Sequence, residues 1–252
     1  MAAVRTGTVA TFVFSLATAA PATDLAYQRA VDDARASAVI PADVVDYARE
    51  ACTTALCFAE VLAKELPDRI GLEPVTHPDT DTIRWAKTSP SIIANNTDDT
   101  LTFNITHFGR KAVAELREAL TGAGQRLVVD LRGNPGGDFE RMLAIAGFLL
   151  GPRSDTVEID YGDRIERRSL EGPSLRSWRI VSVRTDEKTA SAALLLARLI
   201  EAHSNAEVAG PPAGVAGPPP DDRPLFLKRR IPINHDWRLV LPVAELRVSM
   251  PR

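Results

Sequence analysis

Residues 127–137 read Leu-Val-Val-Asp-Leu-Arg-Gly-Asn-Pro-Gly-Gly, and this stretch decides the fold. A short, unbroken apolar run before Asp130 is the pattern of a strand buried on both faces. Gly133, Asn134, Pro135, Gly136 and Gly137 then demand a turn. Residues 139–150 place Met142, Leu143, Ile145, Phe148 and Leu149 at helical spacing, so a helix follows the turn. Such a strand–turn–helix unit points backbone N–H groups at whatever sits before the helix, a geometry suited to a phosphate or a developing oxyanion. The run lacks the G-x-G-x-x-G spacing of dinucleotide sites and the Gly-Lys-Ser/Thr ending of a P-loop. Asp130 and Arg132 are expected to form an ion pair that shapes the turn.

Working outward, residues 101–105 alternate Leu, Thr, Phe, Asn, Ile and read as a strand. Ala112, Val113, Leu116 and Leu120 form a helical stripe ended by Gly122 and Gly124. Strands are expected at 156–160, 165–170 and 178–184, a third helix over 190–203, and strands at 205–209, 225–233, 237–243 and 245–249. Alternating strands and helices imply an α/β domain. Residues 210–220, rich in Gly and Pro, form a loop. Toward the N-terminus, residues 42–66 read as one long helix, with Pro41 before it and Pro67 after it. Residues 67–98 look irregular, with room only for short strands.

Bulk numbers narrow the classes. The chain has 252 residues and a net charge of −3, with hydrophobic residues at 45% and charged ones at 25%, an ordinary globular balance. The densest basic run is Lys228-Arg229-Arg230, so nucleic acid is not an expected partner. The 4 histidines are scattered, so neither a metal nor a cofactor is implied. Cys52 and Cys57 are expected to be small buried residues; a disulfide between them would need a non-helical bend. Arg5, the apolar residues Val9, Phe12, Val13, Phe14 and Leu16, and Ala20-Pro21-Ala22 outline a secretory signal over residues 1–22. Its apolar run is too short for a membrane span. Export to a periplasm or to the outside is therefore expected. Oligomeric state is not legible.

A second motif, Lys188-Thr-Ala-Ser-Ala-Ala193, stands just before the third helix. Thr189 is the natural N-cap, with Ser191 in the first turn. The two motifs together, some fifty residues apart, resemble the tail-specific, carboxyl-terminal-processing serine proteases. The resemblance covers roughly residues 99–243. It includes Phe108, the strand 206–210, and the closing strands with Trp237, Leu239, Leu241 and Pro242.

The resemblance implies a crotonase-like or Clp-protease-like α/β core over 99–252, preceded by a helical region and linker over 23–98. It implies a polypeptide substrate or peptide tail. Ser191 corresponds to the nucleophile, and backbone N–H groups of Gly136 or Gly137 and of Ala192 to the oxyanion hole. Three departures stand out. The family's general-base lysine falls on Ala216, and no lysine occurs between Lys188 and Lys228. The usual acidic residue after the nucleophile is replaced by Leu194. Residues 67–98 are also too few for the peptide-binding PDZ domain of many relatives. Among other bases, Lys188 precedes the helix and His203 lies about 18 Å along it. Lys228 sits on a later strand that cannot be placed from sequence, and His107 ends the first core strand. Two functions follow: a serine peptidase working through Ser191, or an inactive homologue that binds peptide tails or a small apolar ligand.

Overall fold

A computed structural model describes residues 22–75, 90–97, 99–120, 126–173, 179–209 and 225–249. Residues 1–21 of the expected signal segment and Ala216 lie outside these residues.

The chain opens with three helices, α1 (Ala22–Arg35), α2 (Ala42–Ala51) and α3 (Ala55–Glu65). The single helix expected over 42–66 is broken. Cys52 leaves α2 in an extended conformation, and Thr54 caps α3 by accepting the Cys57 N–H. The break brings Cys52 and Cys57 into a disulfide with Cα atoms 5.6 Å apart, which corrects the expectation of two unbonded buried cysteines. The physical reason is local: threonine at an N-cap satisfies an orphan N–H that a continuous helix would otherwise use.

Two sheets follow. The first has the order β2–β3–β4–β7–β8, built from β2 (Ile92–Thr97), β3 (Thr100–Ile105), β4 (Arg126–Asp130), β7 (Arg179–Arg184) and β8 (Glu207–Ala209). β2 is antiparallel to β3; the other pairings are parallel. Its crossovers carry α4 (Ala112–Ala119), α5 (Phe139–Leu150) and α6 (Ala192–His203). Leu127 and Val129 are fully buried, as a central parallel strand requires. They share one apolar core with Phe103, Ile105, Leu116, Met142, Ile145, Leu195 and Leu199.

The second sheet is antiparallel. Its spine is β10 (Trp237–Val248), flanked on one edge by β9 (Leu225–Pro232) and on the other by β1 (Gly71–Pro74) and then β5 (Arg153–Asp160), with β6 (Ile165–Leu170) beyond. The two strands expected at 237–243 and 245–249 are one strand. A register shift between Pro242 and Ala244 absorbs the proline without ending the pairing. One face of β9 and β10 receives α1–α3: Ile231, Ile233, Leu239 and Leu241 are buried with Val45, Phe58 and Leu62. The helices thus build their own core on the back of this sheet. Among the described residues no helix is long and apolar enough to cross a membrane.

Candidate active site

The turn after β4 is fixed by Asn134, which is fully buried. Its Nδ2 donates to Ile105 O at 2.8 Å, and its Oδ1 accepts the Gly136 N–H at 2.8 Å. Its backbone carbonyl accepts the Ala190 N–H at 3.1 Å. One residue therefore joins β3, the glycine turn and the segment entering α6. Sequence reading missed it, although an asparagine inside a glycine-rich turn is a residue type that bonds its own backbone two residues on. Asp130 and Arg132 form the expected pair, with Arg132 Nη2 2.6 Å from Asp130 Oδ2. Burial alone would favour the protonated Asp130, but the Arg132 guanidinium and N–H hold its carboxyl below the usual range.

The other half of the clasp is the loop 186–190. The Asp186 carboxylate accepts the Gly133 N–H at 3.0 Å, the Thr189 N–H at 3.0 Å and the Lys188 N–H at 3.1 Å. Burial pushes its carboxyl up, and these bonds together with the Thr189 hydroxyl outweigh it, so Asp186 titrates below the ordinary aspartate range. Thr189 is not the cap of α6: its fully buried hydroxyl donates to Leu131 O at 2.9 Å. The cap position belongs to Ser191, whose side chain makes no capping bond.

Ser191 is held at φ 52° and ψ −125°, a left-handed conformation rare for a residue with a Cβ. Its side chain is exposed while Ala192 behind it is buried. Gly136 lies against it: a Cβ on Gly136, at φ +107°, would stand 2.8 Å from Ser191 Cβ and 3.1 Å from Ala192 N. Gly136 is buried with its N–H engaged by Asn134, whereas Gly137 is exposed. The expectation of Gly136 or Gly137 as an N–H donor thus narrows to Gly137. Ala192 is the first residue of α6, where a backbone N–H has no intrahelical acceptor.

The remaining candidates fall elsewhere. His107 is not paired with Ser191. Its Nε2 is 3.2 Å from Ser91 Oγ and its Nδ1 2.9 Å from Thr106 Oγ1, so both ring nitrogens face hydroxyls of the β2–β3 side. His203 is the last residue of α6, at the far end from Ser191. Leu194 is buried in the core, where a carboxylate would need a partner. Lys228, by contrast, lines the same cleft as Ser191. This cleft of about 560 Å³ has one wall made by Pro135, Gly137, Phe139 and 190–192. Its other wall comes from Asp68, β1, β9 and β10.

A serine held in strain at a helix start, over a glycine turn, in a two-sheet α/β core places the chain among serine-peptidase homologues. The chain belongs to peptidase family S41, whose family model matches residues 99–245, well over half of it. The α/β core is the Clp-protease-like arrangement that the sequence motifs led one to expect. Among solved structures, a lipoprotein from Streptococcus agalactiae aligns with a TM-score of 0.61 at 12% identity, covering 95% of this chain and 89% of its own. A candidate peptidase from Parabacteroides merdae aligns at 0.51 and 12% identity, covering 90% and 84%. The photosystem II D1 C-terminal processing protease aligns at 0.47 and 17% identity over 71% of this chain; the chain spans only 44% of that enzyme's length. No curated protein sequence matches this one.

Proposed function

We propose that the protein is an exported serine peptidase that cleaves polypeptides through Ser191. The observation that carries this reading is the backbone of Ser191. A non-glycine residue in that region costs about 1–3 kcal/mol and persists only where its surroundings over-determine it. Here Asn134, Asp186 and Thr189 do so, and the strain aims an exposed hydroxyl into a cleft. A capping role does not account for it, since the hydroxyl caps nothing.

In this reading the Ser191 hydroxyl attacks a peptide carbonyl. The N–H groups of Gly137 and Ala192 receive the negative charge that develops on its oxygen. One such donor is worth about 10²–10³-fold in rate. Substrate lies between the glycine turn and the wall formed by β1, β9 and β10, which offers apolar Leu225, Leu227, Val240 and Leu246 beside charged Asp68, Glu73, Lys228 and Arg230. Such a wall suits an extended stretch of chain with mixed side chains. Export is supported by the signal-like residues 1–22 and by the Cys52–Cys57 disulfide, a bond that persists in oxidising compartments.

A mixture of unstructured peptides, followed by mass spectrometry, tests the reading. Cleavage by the purified protein that is lost in Ser191→Ala supports it. Ala216 at the family's lysine position favours a second reading, a binding protein. Peptide affinity kept in Ser191→Ala, with no cleavage by either protein, would establish that reading instead.

A further inference from the structure

We propose that Lys228 is the general base for Ser191, reaching it from β9 in place of the loop lysine that Ala216 replaces. The inference rests on the peptidase reading above. Its ground is that Lys228 lines the same cleft as Ser191 and that its side chain has no partner among the described residues.

Alternate residues of a strand face opposite sides. Arg229 faces the helices, where its Nη1 lies 3.0 Å from Asp33 Oδ1 of α1. Lys228 and Arg230, on either side of it, both line the cleft together with Ser191, Gly137 and Ala192, as do Leu225, Phe226 and Leu227. Register agrees: Arg230 pairs with Val240, another residue of the cleft wall.

Among the described residues, four titratable side chains line this cleft, Asp68, Glu73, Lys228 and Arg230. Arg230 Nε is bound to Glu73 Oε2 at 3.0 Å, and a guanidinium does not give up its proton in any case. The Lys228 side chain has neither a hydrogen bond nor an ion pair among the described residues. Asp68 is a surface carboxylate, a far weaker base than an amine. The side chain of Lys228 is long and exposed, and its neighbours in the wall include Leu225, Leu227, Val240 and Leu246. Substrate lying across the cleft shuts water away from an amine in such company.

The chemistry balances on these groups. Neutral Lys228 Nζ takes the Ser191 hydroxyl proton as Oγ bonds to the peptide carbonyl carbon. The resulting ammonium returns that proton to the departing amine as the C–N bond breaks. Water then attacks the acyl-enzyme while Nζ takes its proton, and Ser191 Oγ recovers that proton as the carboxylic acid leaves.

The test replaces the amine and then restores it. Lys228→Cys introduces a lone free thiol, because Cys52 and Cys57 are bonded to each other. Turnover is expected to fall about 10²–10⁴-fold. Treatment with 2-bromoethylamine, which rebuilds an amine at nearly the lysine length, should recover most of it. Treatment with 2-bromoethanol, which rebuilds the length without the amine, should recover none. Equal recovery from both reagents, or no recovery from either, overturns the proposal. Undiminished turnover in Lys228→Cys that still vanishes in Ser191→Ala overturns it too, and leaves the peptidase reading standing. Absence of Ser191-dependent turnover in the unaltered protein removes the peptidase reading, and the proposal with it.

Discussion

Replacing Gly136 with alanine tests the contact on which the site is built. The added Cβ would stand 2.8 Å from Ser191 Cβ, 3.0 Å from Ala190 O and 3.1 Å from Ala192 N. The first distance is below any that real Cβ atoms adopt, and two of the three neighbours are backbone, which cannot rotate away. Gly136 also sits at φ +107°, where an L-residue is strained. Strain of about 1–3 kcal/mol and overpacking of about 1–3 kcal/mol act together. The expected loss of stability is therefore about 2–6 kcal/mol, a large part of a typical total of about 5–15 kcal/mol. Relief requires Ser191 to move, and a displacement near 1 Å costs about 10²-fold in rate. Urea unfolding reads the first effect; turnover on a peptide substrate, measured well below the unfolding midpoint, reads the second. An alanine variant with unaltered midpoint and unaltered turnover would refute the close approach of the turn to Ser191.

Further outcomes follow from the clasp and the helical region. Asn134→Ala leaves Ile105 O and the Gly136 N–H without their partners, and at about 1–3 kcal/mol for each buried group it should lower the urea midpoint markedly. It should also loosen the turn and so slow turnover. Asp186 releases its proton more readily folded than unfolded. Its contribution to stability is therefore present above the ordinary aspartate range and is lost as the pH falls through its lowered folded value. In Asp186→Asn the fall in urea midpoint on acidification should be shallower than in the unaltered protein; a parallel fall would show that Asp186 does not carry it. Reducing Cys52–Cys57 opens a loop of sequence separation 5 and should cost about 2 kcal/mol by the loop-entropy estimate. The two cysteines lie in the helical core behind β9 and β10, so Ser191-dependent turnover should survive reduction under native conditions.

Much of this fold was legible because its signals are local. The run before Asp130 reads as a buried strand, and residues 139–150 form the expected helix to the residue. Alternation over 101–105 predicts the buried Leu101, Phe103 and Ile105. The errors arise where a single residue outweighs a periodic pattern. Thr54 ends a helical stripe that continues on both sides of it, and Pro242 is carried inside a strand by a register shift. At the site, the family resemblance singled out Ser191, Gly136 or Gly137, and Ala192, but it could not reveal that Asn134 holds the turn or that Thr189 bonds Leu131 rather than capping α6. Those roles depend on strands brought together from distant parts of the chain. The same holds for Lys228, which lies 37 residues after Ser191 in the sequence with a Gly- and Pro-rich stretch between, and which meets the cleft only through the pairing of β9 with β10.

The central claim is that Ser191 is an activated nucleophile. Reaction of the purified protein with a small fluorophosphonate probe, with Ser191→Ala as the control, tests it most directly. The account predicts labelling of the unaltered protein, mapped to the peptide containing Ser191, and none in the variant. A folded protein that takes up no label, or takes it up equally in Ser191→Ala, would contradict the account.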